Sequence, residues 1–122
     1  MSKTVLVIDD SPSVRTTLSS LLALHGFDVI VARDGIEGTE ALAANSNIEA
    51  VVCDINMPRM DGLKTLQWAK RRAGTKEVPF LMLTTERKSQ MIRQAKDSGA
   101  AGWMVKPFEP NSLVAAVKKL VA

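Results

Sequence analysis

Asp9, Asp10 and Asp54 carry the chemistry this sequence can do. Asp9 and Asp10 stand side by side after the apolar run "VLVI", and Asp54 follows a second run, "AVVC", just ahead of "INMPRMDG". Neighbouring carboxylates repel: two like charges about 4 Å apart at a protein surface cost about 4 kcal/mol at an effective dielectric near 20, and a third adds to that. A cation must therefore belong to the arrangement. Hard oxygen donors with no His or Cys nearby point to Mg²⁺, or Mn²⁺ in its place, which a few carboxylates hold while water or a phosphoryl oxygen fills the remaining positions. Asp54 is the candidate nucleophile, because it stands alone before a Pro- and Gly-bearing loop that can hold it open to a donor. A carboxylate attacking phosphorus yields an acyl phosphate. Lys106 would then pair with the new phosphoryl charge, and Thr84 would donate a hydroxyl hydrogen bond to its oxygen.

These residues are far apart in the chain, so the elements must bring them together. Short aliphatic runs alternate with helix-length amphipathic segments, the pattern of repeated βα units around a parallel sheet. Strands are expected at residues 5–8, 28–32, 50–53, 80–83 and 102–105. The first helix follows "SPS": Ser11 can cap it, Pro12 suits its first turn, Val14, Leu18, Leu21 and Leu22 line one face, and Gly26 ends it. The others are expected at 36–44, 62–72, 89–98 and 110–120, with Gly99 closing the fourth. The fold class is α/β: a doubly wound (βα)5, flavodoxin-like domain with five parallel strands in the order 2-1-3-4-5, filling residues 1–122.

In open α/β sheets, ligands bind beyond the carboxyl ends of the strands where the winding reverses. Strand one ends in Asp9-Asp10, strand three in Asp54, strand four in Thr84-Thr85 with Glu86 beyond, and strand five in Lys106. Strand two ends in the turn "ARDG" and offers nothing comparable. Helix capping alone could account for Asp9 or Asp10. It does not account for Asp54 and Lys106 at corresponding strand ends.

Composition narrows the classes. The N-terminus has too short an apolar run for a signal peptide or a membrane span, so a cytoplasmic location is expected. The single cysteine, Cys53, excludes an internal disulfide and reads as a small core residue. A net charge of +3, dispersed in small groups such as Lys70-Arg71-Arg72, is a set of solvated helix faces with no nucleic-acid footprint. His25 suits a helix C-terminus. Trp68 reads as half-buried packing, Met82 and Met104 as core strand positions, and Met57 and Met60 as flanks of Pro58 in the active loop. Met91 reads as either helix packing or part of a partner-facing surface. With one His at the other end of the molecule, no Ser–His–Asp triad forms.

"IDD", "DINMPRMDG", "LTTE" and "VKPF", in that order and spacing, resemble the receiver domain of two-component response regulators across essentially the whole chain, most closely the single-domain chemotaxis CheY type. The resemblance implies that Asp10 and Asp54 ligate Mg²⁺ directly, that Asp9 acts through water, and that the main-chain carbonyl of Asn56 adds an oxygen. It implies that Asp54 accepts its phosphoryl group from a histidine kinase and that the Lys106–Pro107 bond is cis. Within that family Thr84 and Trp103 occupy the switch positions, where Tyr or Phe is more usual than Trp. Asn56 and Glu86 occupy positions that modulate hydrolysis. Thr85 stands where Ala or Gly is common, and its β-branch should narrow access.

The expected function is thus a Mg²⁺-dependent, monomeric signalling switch without nucleic-acid or membrane partners. A histidine kinase would phosphorylate it, and a downstream protein such as the flagellar motor switch would read it. A haloacid dehalogenase-like hydrolase would place a second acid two residues after the nucleophile, where Asn56 stands. A relay to a histidine phosphotransfer protein remains open. A receiver cut from a DNA-binding regulator is the other alternative, against which the Met1 start and the lack of a linker after Leu120 speak.

Overall fold

The computed structural model describes residues 2–85 and 89–122. Each apolar run becomes a strand: β1 (Thr4–Ile8), β2 (Asp28–Ala32), β3 (Ile48–Asp54), β4 (Phe80–Thr84) and β5 (Gly102–Val105). They form one parallel sheet in the order β2-β1-β3-β4-β5. The expected topology is the observed one. β1 and β4 are buried along their whole length, as a parallel sheet with both faces covered requires, while edge strands β2 and β5 are partly exposed.

Alternation along the strands sorts the core into two layers. Leu6, Ile8, Val51, Cys53, Phe80 and Met82 face α2 (Gly35–Ala44), α3 (Gly62–Lys70) and α4 (Ser89–Asp97), which contribute Leu42, Leu66, Ala69 and Ala95. Val5, Val7, Val52, Leu81 and Leu83 face α1 (Pro12–Leu24) and α5 (Pro110–Val121), through Leu18, Leu22, Leu113 and Val117. Cys53 is fully buried, as expected of a core residue. Trp68, Met91 and Met104 are partly buried and packed on these layers.

The helix starts follow from side-chain caps. Ser11 accepts from the amide of Val14, Asp34 from Glu37, Asp61 from Lys64, and Glu109 from Asn111 and Ser112. The third helix ends two residues before the expected boundary at 72. The amides of Arg71 and Arg72 bond back three residues, to Trp68 and Ala69, and the buried Thr75 hydroxyl donates to the Ala69 carbonyl at 2.8 Å. That side chain takes the acceptor a continuing helix would have used. The β3 strand runs longer than expected at both ends, so Asp54 is its last residue.

Candidate functional site

Register alone brings the acids together. Ile8 pairs with Cys53 across β1 and β3, so the next residues, Asp9 and Asp54, emerge side by side at the carboxyl end of the sheet. The amide of Asp9 donates to Ala32 O at 3.1 Å, extending the ladder one residue past β1. Asp9 is fully buried, Asp54 is 5% exposed and Asp10 faces outward. Carboxylate oxygens of the three lie within 4.8 Å of one another. Together they are hard oxygen donors close enough to share one metal ion.

Lys106 supplies the cation among them. Thr84 is paired with Val105 across β4 and β5, and the Lys106 amide donates to Thr84 O at 2.7 Å, so the lysine leaves the sheet beside Asp54. Its Nζ lies 2.8 Å from Asp9 Oδ2 and 3.4 Å from Asp54 Oδ2. The Lys106–Pro107 peptide is cis. Burial disfavours the ammonium, but the hydrogen bond to Asp9 and the charge of Asp54 outweigh it and raise the lysine's pKa.

Asp54 is less well compensated. Burial and the neighbouring Asp9 charge push its pKa up to about 6, against the pull of Lys106 and a 3.4 Å bond from the Asn56 amide. Asp9 is held more firmly: besides Lys106, its Oδ1 accepts the Ser11 amide at 2.9 Å, and Arg15 Nη1 donates to its carbonyl at 2.7 Å. Each buried carboxylate has two partners, but those of the proposed acceptor stand at 3.4 Å while those of Asp9 stand at 2.8 and 2.9 Å.

The other expected residues fall around this centre. Thr84 is buried at the end of β4, Thr85 is exposed beyond it, and Asn56 is exposed two residues after Asp54. Trp103, on edge strand β5, is 38% exposed. Glu86 lies outside the described residues. His25 caps the far end of α1, away from the acids.

The turn "ARDG" has more to offer than its sequence suggested. Asp34 is almost fully buried, and besides capping α2 it accepts from Arg59 Nε at 2.6 Å, which holds its pKa below the usual carboxylate range. Arg59 belongs to the loop after β3, and its φ is 65°, left-handed for a residue with a side chain, a conformation that costs about 1–2 kcal/mol. Asp-Gly before a helix is a readable cap signal. The partner on another loop is not readable. Asp10 opens onto a shallow depression of about 490 Å³ whose walls include Asp34, Arg15, Arg33 and Arg59, with Arg33 paired to Glu37 and Arg59 to Asp34.

The sequence matches the family described as the response regulator receiver domain over residues 5–118. Chemotaxis protein CheY1 of Helicobacter pylori is 36% identical over 110 residues, covering 89% of this chain and 89% of that protein. The DNA-binding dual master transcriptional regulator RpaA of Synechocystis is 36% identical over 117 residues, covering 96% of this chain and 48% of RpaA, so the chain spans about half the length of that relative. The solved structure of Vibrio cholerae chemotaxis protein CheY4 superimposes with a TM-score of 0.92 at 33% identity, over 98% of this chain and 99% of that one.

Proposed function

The chain belongs to the response regulator receiver domain family, and from that premise we propose that it is a Mg²⁺-dependent switch phosphorylated on Asp54. Receiver domains take phosphate from histidine kinases, bind Mg²⁺ in an acidic pocket and act on downstream targets as signalling switches. The observation that carries the reading here is the juxtaposition of three carboxylates within 4.8 Å with one ammonium shared between Asp9 and Asp54.

Asp10, Asp54 and the carbonyl of Asn56 would hold the metal directly, with Asp9 behind a water. When bound, Mg²⁺ supplies neutralising charge for the acids and for phosphoryl oxygens. A carboxylate oxygen of Asp54 attacks phosphorus in the kinase's phosphohistidine; an O–P bond forms, the N–P bond breaks, and the imidazole nitrogen takes the leaving pair. Asp54 is suited to this because its carboxylate is neither fully desolvated nor saturated with donors. The new group carries about two negative charges. Lys106 pairs with it, and Thr84 donates its hydroxyl to it. Because the Lys106 amide is bonded to Thr84 O, both responses act on the same pair of strands. Trp103, on that edge, reports the change and takes part in the switch. Thr85 narrows access to the acyl phosphate, and Asn56 and Glu86 modulate its hydrolysis.

Two relatives named as chemotaxis proteins favour a chemotaxis pathway with the flagellar motor switch as target. The match to half of RpaA favours a second reading, in which the same domain governs a DNA-binding regulator. No described helix is long and apolar enough to cross a membrane, and a cytoplasmic monomer fits the kinase donor. Incubation with Mg²⁺ and acetyl phosphate, followed by intact mass and tryptophan fluorescence, tests the core of the proposal. One phosphoryl group should be added, none to Asp54→Asn. Phosphorylation at another residue would refute the assignment. Pull-downs with motor switch protein and with histidine phosphotransfer domains separate motor binding from relay.

A further inference from the structure

The loop between β3 and α3 carries Asn56, the one proposed metal ligand that is a backbone atom, so its oxygen can be aimed only by the path of the main chain. That path is pinned at two places. At its base, the Gly62 amide donates to Ile55 O at 2.8 Å, and the approach is so close that a Cβ on Gly62 would lie 2.2 Å from Asp54 O. At its far side, the Gly35 amide donates to Met60 O at 3.1 Å, and the Arg59 side chain reaches the buried Asp34 at 2.6 Å. A Cβ on Gly35 would stand 2.5 Å from Met60 O, so the two turns are in direct backbone contact. Residues 56 to 58 hang between the two pins.

Arg59 itself is the telling residue. A left-handed φ is cheap for glycine and costly for arginine. Here the guanidinium bond to a carboxylate that is itself fixed as the α2 cap holds that conformation in place.

We propose that the Asp34–Arg59 pair is a latch that positions the β3–α3 loop and thereby sets the affinity of the acidic centre for Mg²⁺. Asp34 and Arg59 are positioning residues, acting through the Asn56 carbonyl rather than touching the metal. The inference rests on the reading of this centre as a Mg²⁺ site. The turn "ARDG", set aside by inspection of strand ends, thus becomes part of the site's framework.

Simple electrostatics and the latch predict opposite signs for one substitution, which makes the idea testable. Removing the positive charge of Arg59 beside an acidic centre should tighten a divalent cation if only charge mattered. If the side chain positions the loop, its loss should weaken binding instead. The experiment is calorimetric titration of the metal-free protein with MgCl₂ for wild type, Arg59→Gln, Arg59→Lys, Asp34→Asn and the Asp34→Asn/Arg59→Gln double variant, with thermal melts to confirm folding. Asparagine keeps the capping oxygen of Asp34, so α2 is retained. We expect Arg59→Gln and Asp34→Asn each to weaken Mg²⁺ about tenfold, the range seen when residues supporting a metal's ligands are removed. Arg59→Lys should recover part of the loss, and the double variant should be no worse than either single one. Unchanged or tighter binding by Arg59→Gln overturns the latch, as does additive loss in the double variant. If wild type itself binds no Mg²⁺, the reading of the centre fails; if wild type binds and the variants bind equally, only the latch fails.

Discussion

Replacing Asp54 by Asn should make the metal-free protein more stable, although it removes the residue on which function is proposed to rest. The folded protein raises the Asp54 pKa from 3.8 to about 6. Below about pH 4 the group is protonated folded and unfolded, and contributes nothing. Between 3.8 and 6 the folded state holds the proton more tightly, so stability falls as pH rises, and above 6 the full penalty is present. At 1.36 kcal/mol per pKa unit, a shift of about two units amounts to about 3 kcal/mol. The attraction of Lys106 is already contained in that shift, and solvent screening at the mouth of the site reduces the expected gain to about 1–2 kcal/mol. For a domain of this size about 4 °C corresponds to 1 kcal/mol, so the melting temperature of Asp54→Asn in EDTA near neutral pH should rise by about 4–8 °C. The advantage should vanish near pH 4. It should also shrink or reverse in saturating Mg²⁺, which stabilises only the protein that binds it. A variant no more stable than wild type in EDTA, or one whose advantage persists undiminished near pH 4, would show that the acids at this centre are not in electrostatic conflict.

Lys106→Met should act in the opposite direction, because it leaves Asp9, fully buried, without its cation; urea unfolding should register a loss of about 2–4 kcal/mol, largely restored by Mg²⁺. Gly62→Ala puts a methyl 2.2 Å from a backbone oxygen that neither β3 nor α3 can easily move. A destabilisation of about 2 kcal/mol or more in the same assay, with weakened Mg²⁺ binding, is expected. Cys53 is fully buried, and burial together with the charge of Asp54 drives its thiol pKa well up. A thiol reagent should therefore label it only as fast as the protein opens; rapid labelling of the folded protein would contradict the packing of β3.

The strand pattern was legible because a parallel sheet covered on both faces writes itself as continuous apolar runs, and the residue after each run must lie at the carboxyl edge. Asp9, Asp54, Thr84 and Lys106 are therefore legible together in the sequence. The end of α3 is not, because it depends on a Thr75 hydroxyl reaching back to Ala69, and the one helix breaker between them, Gly74, lies four residues past the point where the helix stops. Asp34 failed for a related reason. Asp34 stands two residues past the end of its strand, and both of its fixed partners, the Glu37 amide and Arg59, lie outside the short turn that contains it.

What separates the two groups is the kind of information that fixes them. The acceptor, its acids and its lysine are each set by one strand and one register, so a short stretch of sequence determines each position. The framework that aims the connecting loops is set by pairs such as Asp34 with Arg59 and Gly62 with Asp54, whose members come from different βα units or from opposite ends of a loop. In isolation, an arginine at position 59 reads as a solvated loop charge, and only its left-handed backbone beside a buried carboxylate marks it as structural. Charge at the centre can therefore be read from motifs. The pose of the loop that carries Asn56 is a property of tertiary contacts, and under the proposed latch it would tune metal affinity through residues that never touch the metal.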